Sequence, residues 1–206
     1  MNQIEALQRL QGLATPVVES RDVAALLNVS ASNATTILRR LAAEGLVAHL
    51  TRGRWLVNAK IDRLTLPELI SAPYPAYASL QSALFHHGLI EQIPAVLYAV
   101  TPGRPRRLGT PVATISFHRM PADLFTGFEL SSASDAKIAT PEKALFDLIY
   151  LAPGRSRVFS TLPEISIPRR FQWQRLKEYT ALVKSPGRRA FIAARIQSIR
   201  SASSHR

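Results

Sequence analysis

Apolar residues recur every three or four positions through the first third of the chain, which is the spacing of one buried helix face. The pattern predicts three helices, at residues 3–13, 21–27 and 31–44. Ser20 and Ser30 stand where a hydroxyl caps the free N–H groups of the second and third helices. A short connection at 28–30 separates these two helices, and Gly45 is the residue type that ends a helix.

Two short apolar runs follow, at residues 46–50 and 55–57, and they flank a turn at 51–54 that contains two arginines. Apolar runs separated by such a turn predict a β-hairpin. The order helix, helix, tight turn, helix, hairpin is typical of a winged helix-turn-helix. We assign it to residues 1–60, with the hairpin as the wing.

Proline residues and a short helical pattern at 66–70 mark a connector over residues 61–75, and a second domain is predicted over 76–206. Its expected helices begin at Pro75 and end before Gly88, run from 141 to 151, and cover 172–183 and 187–201. Strand-like runs lie at 96–100, 113–118, 128–130 and 136–138, with a loop over 101–111. The fold class predicted is α+β: an N-terminal winged helix-turn-helix followed by an α/β domain with a small mixed or antiparallel sheet and C-terminal helices.

Composition narrows the chemistry. The chain has no cysteine, which excludes disulfides, thiolate metal sites and cysteine nucleophiles. No segment resembles a signal peptide or a membrane span, so the expectation is a cytoplasmic protein without membrane contact. Phosphate-binding glycine motifs and the GxSxG motif of hydrolases do not occur, and neither a catalytic residue nor a cofactor is predicted.

The net charge of +12 is uneven along the chain. Residues 1–60 carry +3, residues 61–150 carry −1 and residues 151–206 carry +10. Basic surfaces attract polyanions and release the counterions bound to them, so nucleic acid is the leading class of partner. An acidic protein or a membrane surface would be attracted in the same way.

The third helix has an unusual outward face. A helix that is only solvated generally carries Glu and Lys there, because both are good helix formers. Here the face is made of short hydrogen-bonding groups and arginines, with no acidic residue before Glu44. Such side chains contact bases and phosphates without repelling the DNA. We predict that the helix contacts an operator and that the wing arginines hold its backbone, through Ser32, Asn33, Thr36, Arg39, Arg40, Arg52 and Arg54.

Other interpretations of the same patterns remain open. The first 60 residues also suit a small helical domain with a solvated face, or a protein-docking module. Asp135 and Lys137 resemble the carboxylate and lysine of metal-dependent nucleases, with Asp123 or Glu129 as the second carboxylate. His86 and His87 are neighbours and face different sides of a helix, so a metal site is not predicted.

Four phrases of the second domain resemble one known family. PAYASLQSALFHHGLIEQIP (75–94), SFHRM (116–120), LFTGFEL (124–130) and IATPEKALFDLIYL (138–151) are similar to the AbiEi-type antitoxins of type IV toxin–antitoxin systems. In that family a winged helix-turn-helix precedes a domain with this succession of phrases. The resemblance implies autorepression at an operon promoter and neutralisation of a nucleotidyltransferase-like toxin without a required stable complex. The alternative is a solitary transcriptional regulator whose second domain senses a ligand or partner.

The resemblance also singles out Pro141, Glu142 and Lys143, with either a structural or an antitoxic role. By position alone they begin a helix: Thr140 caps it, proline suits its first turn, and the helix dipole stabilises a carboxylate there. The basic segment after residue 151 predicts an auxiliary polyanion contact through Arg169, Arg170, Arg188 and Arg189. Operators are commonly inverted repeats, so dimerisation or paired binding on DNA is expected.

Overall fold

The computed structural model describes residues 2–57, 61–152 and 164–203, and all structural statements refer to these residues. It is an α+β fold with two sheets, as the sequence predicts. Residues 153–163 and the last three residues, which belong to the basic segment predicted to contact a polyanion, lie outside the described residues. No helix of the described chain is long and apolar enough to cross a membrane.

Residues 2–57 form three helices and a three-stranded antiparallel sheet with the strand order β1-β3-β2. The elements are α1 Gln3–Gln11, β1 Val17–Glu19, α2 Ser20–Leu27, α3 Ala31–Ala43, β2 Ala48–Thr51 and β3 Arg54–Leu56. The apolar faces of all three helices and one face of the sheet share a core that includes Leu10, Val23, Leu38 and Trp55.

Two of the three predicted helix-end residues have the expected role in the structure. Ser30 caps α3 as predicted, because its side chain accepts a hydrogen bond from the Asn33 N–H at 3.2 Å. Gly45 follows α3 with φ +72°, a conformation that glycine adopts without steric cost. Ser20 is not the cap of α2: Glu19 holds that position, and Ser20 is the first helical residue.

The second part is a six-stranded mixed sheet with the order β6-β7-β5-β4-β9-β8, flanked by helices. Its elements are α4 Leu66–Ser71, β4 Tyr77–Ala78, α5 Leu80–His86, β5 Leu97–Thr101, β6 Arg106–Gly109, β7 Thr114–Arg119, β8 Phe128–Leu130, β9 Lys137–Ala139, α6 Pro141–Leu151, α7 Trp173–Ala181 and α8 Pro186–Ser203. The pairs β4–β9 and β5–β7 are parallel, and the other three are antiparallel.

Two sequence-based assignments in this part are wrong. The helix expected from Pro75 begins only at Leu80, and Tyr77–Ala78 is instead the strand β4 inside the sheet. The loop expected over 101–111 contains the edge strand β6. Strand β4 depends on pairing with residues far along the chain, β6 carries two arginines in four residues, and both strands are too short to show an alternating pattern.

The wing is held between the two parts of the molecule. One face of its sheet covers the helices, while Leu50 and Leu56 on the other face are buried against α4 and the six-stranded sheet, where they meet Ile70, Ile115 and Phe117. The sheet of the wing is thus packed against protein on both of its faces. The segment at 61–75, predicted as a connector with a short helix, contains the helix α4 and takes part in this interface through Leu66 and Ile70.

Candidate nucleic-acid interface

The outward face of α3 is exposed as the sequence predicts. Ser32, Asn33, Thr36, Arg39 and Arg40 are all solvent-exposed, while Ala34, Leu38 and Leu41 on the opposite face are buried. The Thr36 hydroxyl donates to the Ser32 carbonyl oxygen at 3.0 Å, and its oxygen can still accept a hydrogen bond. Within the described residues, neither Arg39 nor Arg40 forms an ion pair with a carboxylate.

A groove of about 730 Å³ separates α3 from the wing. One wall belongs to α3 and the other to the wing, and α2 contributes one residue to the floor. The residues that line the groove are Ser20, Thr35, Arg39, Ala42, His49, Arg52, Gly53 and Trp55. None of them is acidic. Arg39 and Arg52 lie on opposite walls, so the groove has a guanidinium group on each side.

The floor of the groove is held rigidly by a short chain of contacts. The His49 and Trp55 rings meet at 4.6 Å between centroids. The indole N–H of Trp55 donates to Ser20 Oγ at 2.9 Å, and the Ser20 N–H donates to the Gly53 carbonyl oxygen at 2.8 Å. The first residue of α2 thereby fixes the turn of the wing, and with it the width of the groove.

The contacts of Arg54 differ from those predicted. The sequence predicts that it holds the DNA backbone with Arg52, but in the structure its guanidinium turns to the other face of the wing. It donates to the carbonyl oxygen of Ile70 at 2.8 Å and lies 3.5 Å from the Glu19 carboxylate. Its side chain is only 20% exposed, so its part is to join the wing to α4. Arg52 at the turn is exposed, as predicted.

Two of the four arginines predicted for the auxiliary polyanion contact are also engaged inside the protein. Arg188 donates to the Tyr150 carbonyl oxygen at 2.5 Å, and its guanidinium lies 4.4 Å from the centre of the Tyr150 ring. Arg189 donates to the Val183 carbonyl oxygen at 2.6 Å, beyond the end of α7. Both side chains hold α8 in place. Arg169 and Arg170 are exposed in a turn before α7.

The family-like residues at the start of α6 are buried. Thr140 caps the helix by accepting from the Lys143 N–H, and Pro141 is the first helical residue, as predicted. Glu142 is 5% exposed and accepts from the Gln172 N–H at 2.8 Å, which ties α6 to α7. Lys143 is fully buried and forms an ion pair with Asp147 one turn later.

A polar cluster surrounds this ion pair. Asp147 accepts from Ser79 Oγ at 2.7 Å and from the Tyr77 hydroxyl at 3.1 Å. The Lys143 ammonium lies 4.9 Å from the centre of the Phe146 ring and 5.5 Å from that of Tyr179. Every member of the ion pair has partners, which is what makes a buried pair tolerable. The cluster binds α6 to β4, and its charges do not reach the surface.

Burial also governs the proton affinities in the cluster. It raises the pKa of the Asp147 carboxyl, while the nearby Lys143 ammonium acts in the opposite direction. It raises the pKa of the Tyr77 hydroxyl well above its ordinary value, and the negative charge of Asp147 adds to this effect. The tyrosine therefore stays a neutral hydrogen-bond donor to the carboxylate at physiological pH.

Of the residues considered for a nuclease, Lys137 and Asp123 form ion pairs elsewhere, and Glu129 lies on β8, which pairs with the strand of Lys137. Lys137 forms an ion pair with Glu68 at 2.6 Å, and Asp123 forms one with Lys184 at 2.6 Å. Asp135 lies in a turn with φ +53°. His87 Nε2 is 2.8 Å from the Ala139 carbonyl oxygen, and burial lowers the pKa of this imidazole. Within the described residues, no three His, Asp or Glu side chains form a group that could hold a metal ion.

The sequence prediction did not include His49, Thr35 or Trp55 in the interface. One signal was present: His49 and Trp55 are directly opposite each other in the β2–β3 pairing, and side chains at opposite positions lie on the same face of a sheet. The register of the hairpin was needed to recognise this. Comparison with known proteins adds no further assignment, since no protein-family model and no curated protein sequence matches the chain.

Proposed function

We propose that the chain is a sequence-specific DNA-binding transcriptional regulator that contacts double-stranded DNA with α3 and the wing. The observation that carries this proposal is the exposed, carboxylate-free face of α3, where Arg39 and Arg40 form no ion pair within the described residues, next to a third exposed arginine, Arg52, at the wing turn. A helix of this kind fits the major groove, and the arginine at the turn lies where a wing meets the DNA backbone.

The base-contacting residues under this proposal are on α3: Ser32, Asn33, Thr36 and Arg40. Asparagine makes paired hydrogen bonds to adenine, and arginine makes them to guanine. The proposal leaves out Arg54, because its guanidinium joins the wing to α4. Arg169 and Arg170 remain as the exposed part of the auxiliary contact to a polyanion.

The biological context is the second part of the proposal. It rests on the sequence phrases similar to AbiEi-type antitoxins, and it makes the chain a cytoplasmic autorepressor and antitoxin of a type IV operon. The phrase at 138–151 corresponds to the buried start of α6 and its polar cluster, so the residues it singles out support the fold of the second domain. A direct contact between a toxin and Glu142 or Lys143 is not part of the proposal, because both side chains are buried.

Gel-shift titration with the promoter of the chain's own operon tests the DNA claim. We expect a salt-sensitive shift with the promoter duplex and a much weaker one with a scrambled duplex of equal length. The Arg39→Ala/Arg40→Ala variant should lose the shift and keep its helical circular dichroism. Arg21→Ala is the matched control, since Arg21 is exposed at the start of α2 and pairs with Glu19 at 2.8 Å. An equal shift by both duplexes would refute sequence specificity.

Co-expression with the neighbouring gene tests the antitoxin claim. Rescue of growth from a nucleotidyltransferase-like neighbour would support it. If promoter binding is intact and no rescue occurs, the chain is a solitary regulator, the alternative that the sequence left open.

A further inference from the structure

The groove between α3 and the wing has a composition that matches the backbone of DNA rather than its bases. Its floor is apolar or aromatic at Ala42, His49 and Trp55, and its two rims carry the guanidinium groups of Arg39 and Arg52. A DNA strand alternates apolar deoxyribose with anionic phosphate. An apolar floor between two cationic rims is complementary to that alternation, since each part of the strand meets a surface of its own kind.

The geometry of α3 separates two neighbouring arginines. Successive side chains point about 100° apart around a helix, and residues spaced by three or four share one side. Thr35, Arg39 and Ala42 form the row that faces the wing, and all three line the groove. Arg40 is displaced by one step and does not line the groove; it lies seven residues after Asn33, in a row on the other edge of the exposed face.

We propose that the groove holds a phosphodiester of the bound DNA, with Arg39 and Arg52 on either side of it and the His49 ring against the sugar–phosphate chain. This inference rests on the proposed function and assigns phosphate contacts and base contacts to different residues. Arg39, which the sequence assigned to the operator-reading set, becomes a phosphate contact, and His49 becomes a DNA-contact residue. Base recognition is left to Asn33, Thr36 and Arg40, while Ser32, seven residues before Arg39, lies on the Arg39 side of the exposed face.

The rigid floor explains why the groove suits this task. Trp55 is 4% exposed and anchored by Ser20, so His49 packs against a fixed surface instead of a mobile one. The wing itself is buried on its other face by Leu50 and Leu56. A phosphate that enters between Arg39 and Arg52 therefore meets two side chains carried by elements that are packed together through Trp55 and Ser20.

The test compares Arg39→Ala with Arg40→Ala in the full chain, so that the same side chain is removed from each edge of the exposed face of α3. Two duplexes of equal length are needed: one selected from a random pool by the native chain, and a scrambled one. Dissociation constants are measured for both at several salt concentrations. Circular dichroism confirms that each variant is folded, which is expected because both side chains are exposed.

Arg39→Ala should weaken both duplexes by the same factor, roughly tenfold, as expected when one charge-assisted hydrogen bond is lost. The slope of log K against log salt should decrease in magnitude by about 0.9, the value for one phosphate contact. His49→Ala should weaken both duplexes by about threefold, because the contact between the ring and the sugar–phosphate chain is lost. Arg40→Ala should instead reduce the preference for the selected duplex, by roughly tenfold.

The inference is overturned if Arg39→Ala lowers affinity only for the selected duplex and leaves the salt slope unchanged, because Arg39 would then contact a base. It is also overturned if His49→Ala changes neither affinity, which would leave the groove to another ligand. A native chain that binds both duplexes equally refutes the proposed sequence specificity, yet the salt slopes still test the groove. Absence of binding to either duplex refutes both proposals.

Discussion

Gly127 shows how a single position in the second domain is constrained by residues that the local sequence does not reveal. Its φ of +76° lies in the left-handed region, which side chains other than glycine adopt only with strain. A Cβ atom there would also lie 2.9 Å from Tyr179 Cζ, closer still to the tyrosine hydroxyl, and 3.0 Å from Lys143 Cγ. The absence of a side chain lets α7 close over the buried Lys143–Asp147 pair.

We predict that Gly127→Ala lowers the free energy of unfolding by about 2–5 kcal/mol, the sum of left-handed strain and overpacking. Gly88→Ala is the matched control: its φ is +71°, but no atom lies within 4 Å of the added Cβ, so only strain of about 1–2 kcal/mol is expected. Urea unfolding followed by circular dichroism measures both. Equal losses in the two variants would show that Tyr179 moves aside at no cost.

The burial of Lys143 among aromatic rings could not be predicted from the sequence. A lysine in the first turn of a helix is normally solvated, and nothing in the phrase TPEKALFDL shows that three aromatic rings surround it. Those rings come from Tyr77, Phe146 and Tyr179, of which only Phe146 is on the same helix. By contrast, the cap by Thr140 could be predicted because it is a local contact, complete within four residues.

At the scale of elements, the wing carries two arginines with different tasks. Arg52 and Arg54 are two residues apart, but Arg52 is at the turn and is exposed, whereas Arg54 is inside β3 and points to the face that covers α4. Residues two apart in one strand share a face, so the two arginines differ in direction because Arg52 lies in the turn, outside the strand that holds Arg54.

Arg54→Ala should therefore act on stability, and Arg52→Ala on binding. We expect Arg54→Ala to lower the free energy of unfolding by about 1–2 kcal/mol through the lost hydrogen bonds to Ile70 and Ala72. Its salt slope for DNA should remain that of the native chain. Arg52→Ala should change stability by less than about 0.5 kcal/mol and reduce the salt slope by about 0.9. A reduced salt slope in Arg54→Ala would show that Arg54 contacts the DNA.

Elements could be predicted from sequence when their signals lie within the element itself. The helix α6 matched its predicted bounds because cap, proline and apolar spacing all lie within it. The strands β4 and β6 were missed because they exist through their partners: Tyr77 and Ala78 pair with Val100 and Ala99, and β6 pairs with β7 although two of its four residues are arginines. The α3 face could be recognised from sequence, whereas the groove beside it needed the register of the hairpin.

At the scale of the whole molecule, the wing belongs to two cores at once. Trp55 and Val57 are buried with the three N-terminal helices, and Leu56 between them is buried with α4 and the six-stranded sheet. Because neighbouring residues of β3 take part in both cores, neither part can unfold without exposing apolar surface of the other. We infer that the described parts unfold together.

The two tryptophans make this testable, because Trp55 lies in the first core and Trp173 packs against the core of the second domain. In Trp173→Phe the remaining fluorescence reports on the wing, and in Trp55→Phe it reports on α7. Within each variant, urea transitions by fluorescence and by far-ultraviolet circular dichroism should coincide, as two-state unfolding requires. Comparing probes inside one variant removes the stability lost with the Trp55–Ser20 hydrogen bond. A Trp55 transition that precedes the circular dichroism change would show that the N-terminal part unfolds separately, and the wing would then be free to move relative to the sheet.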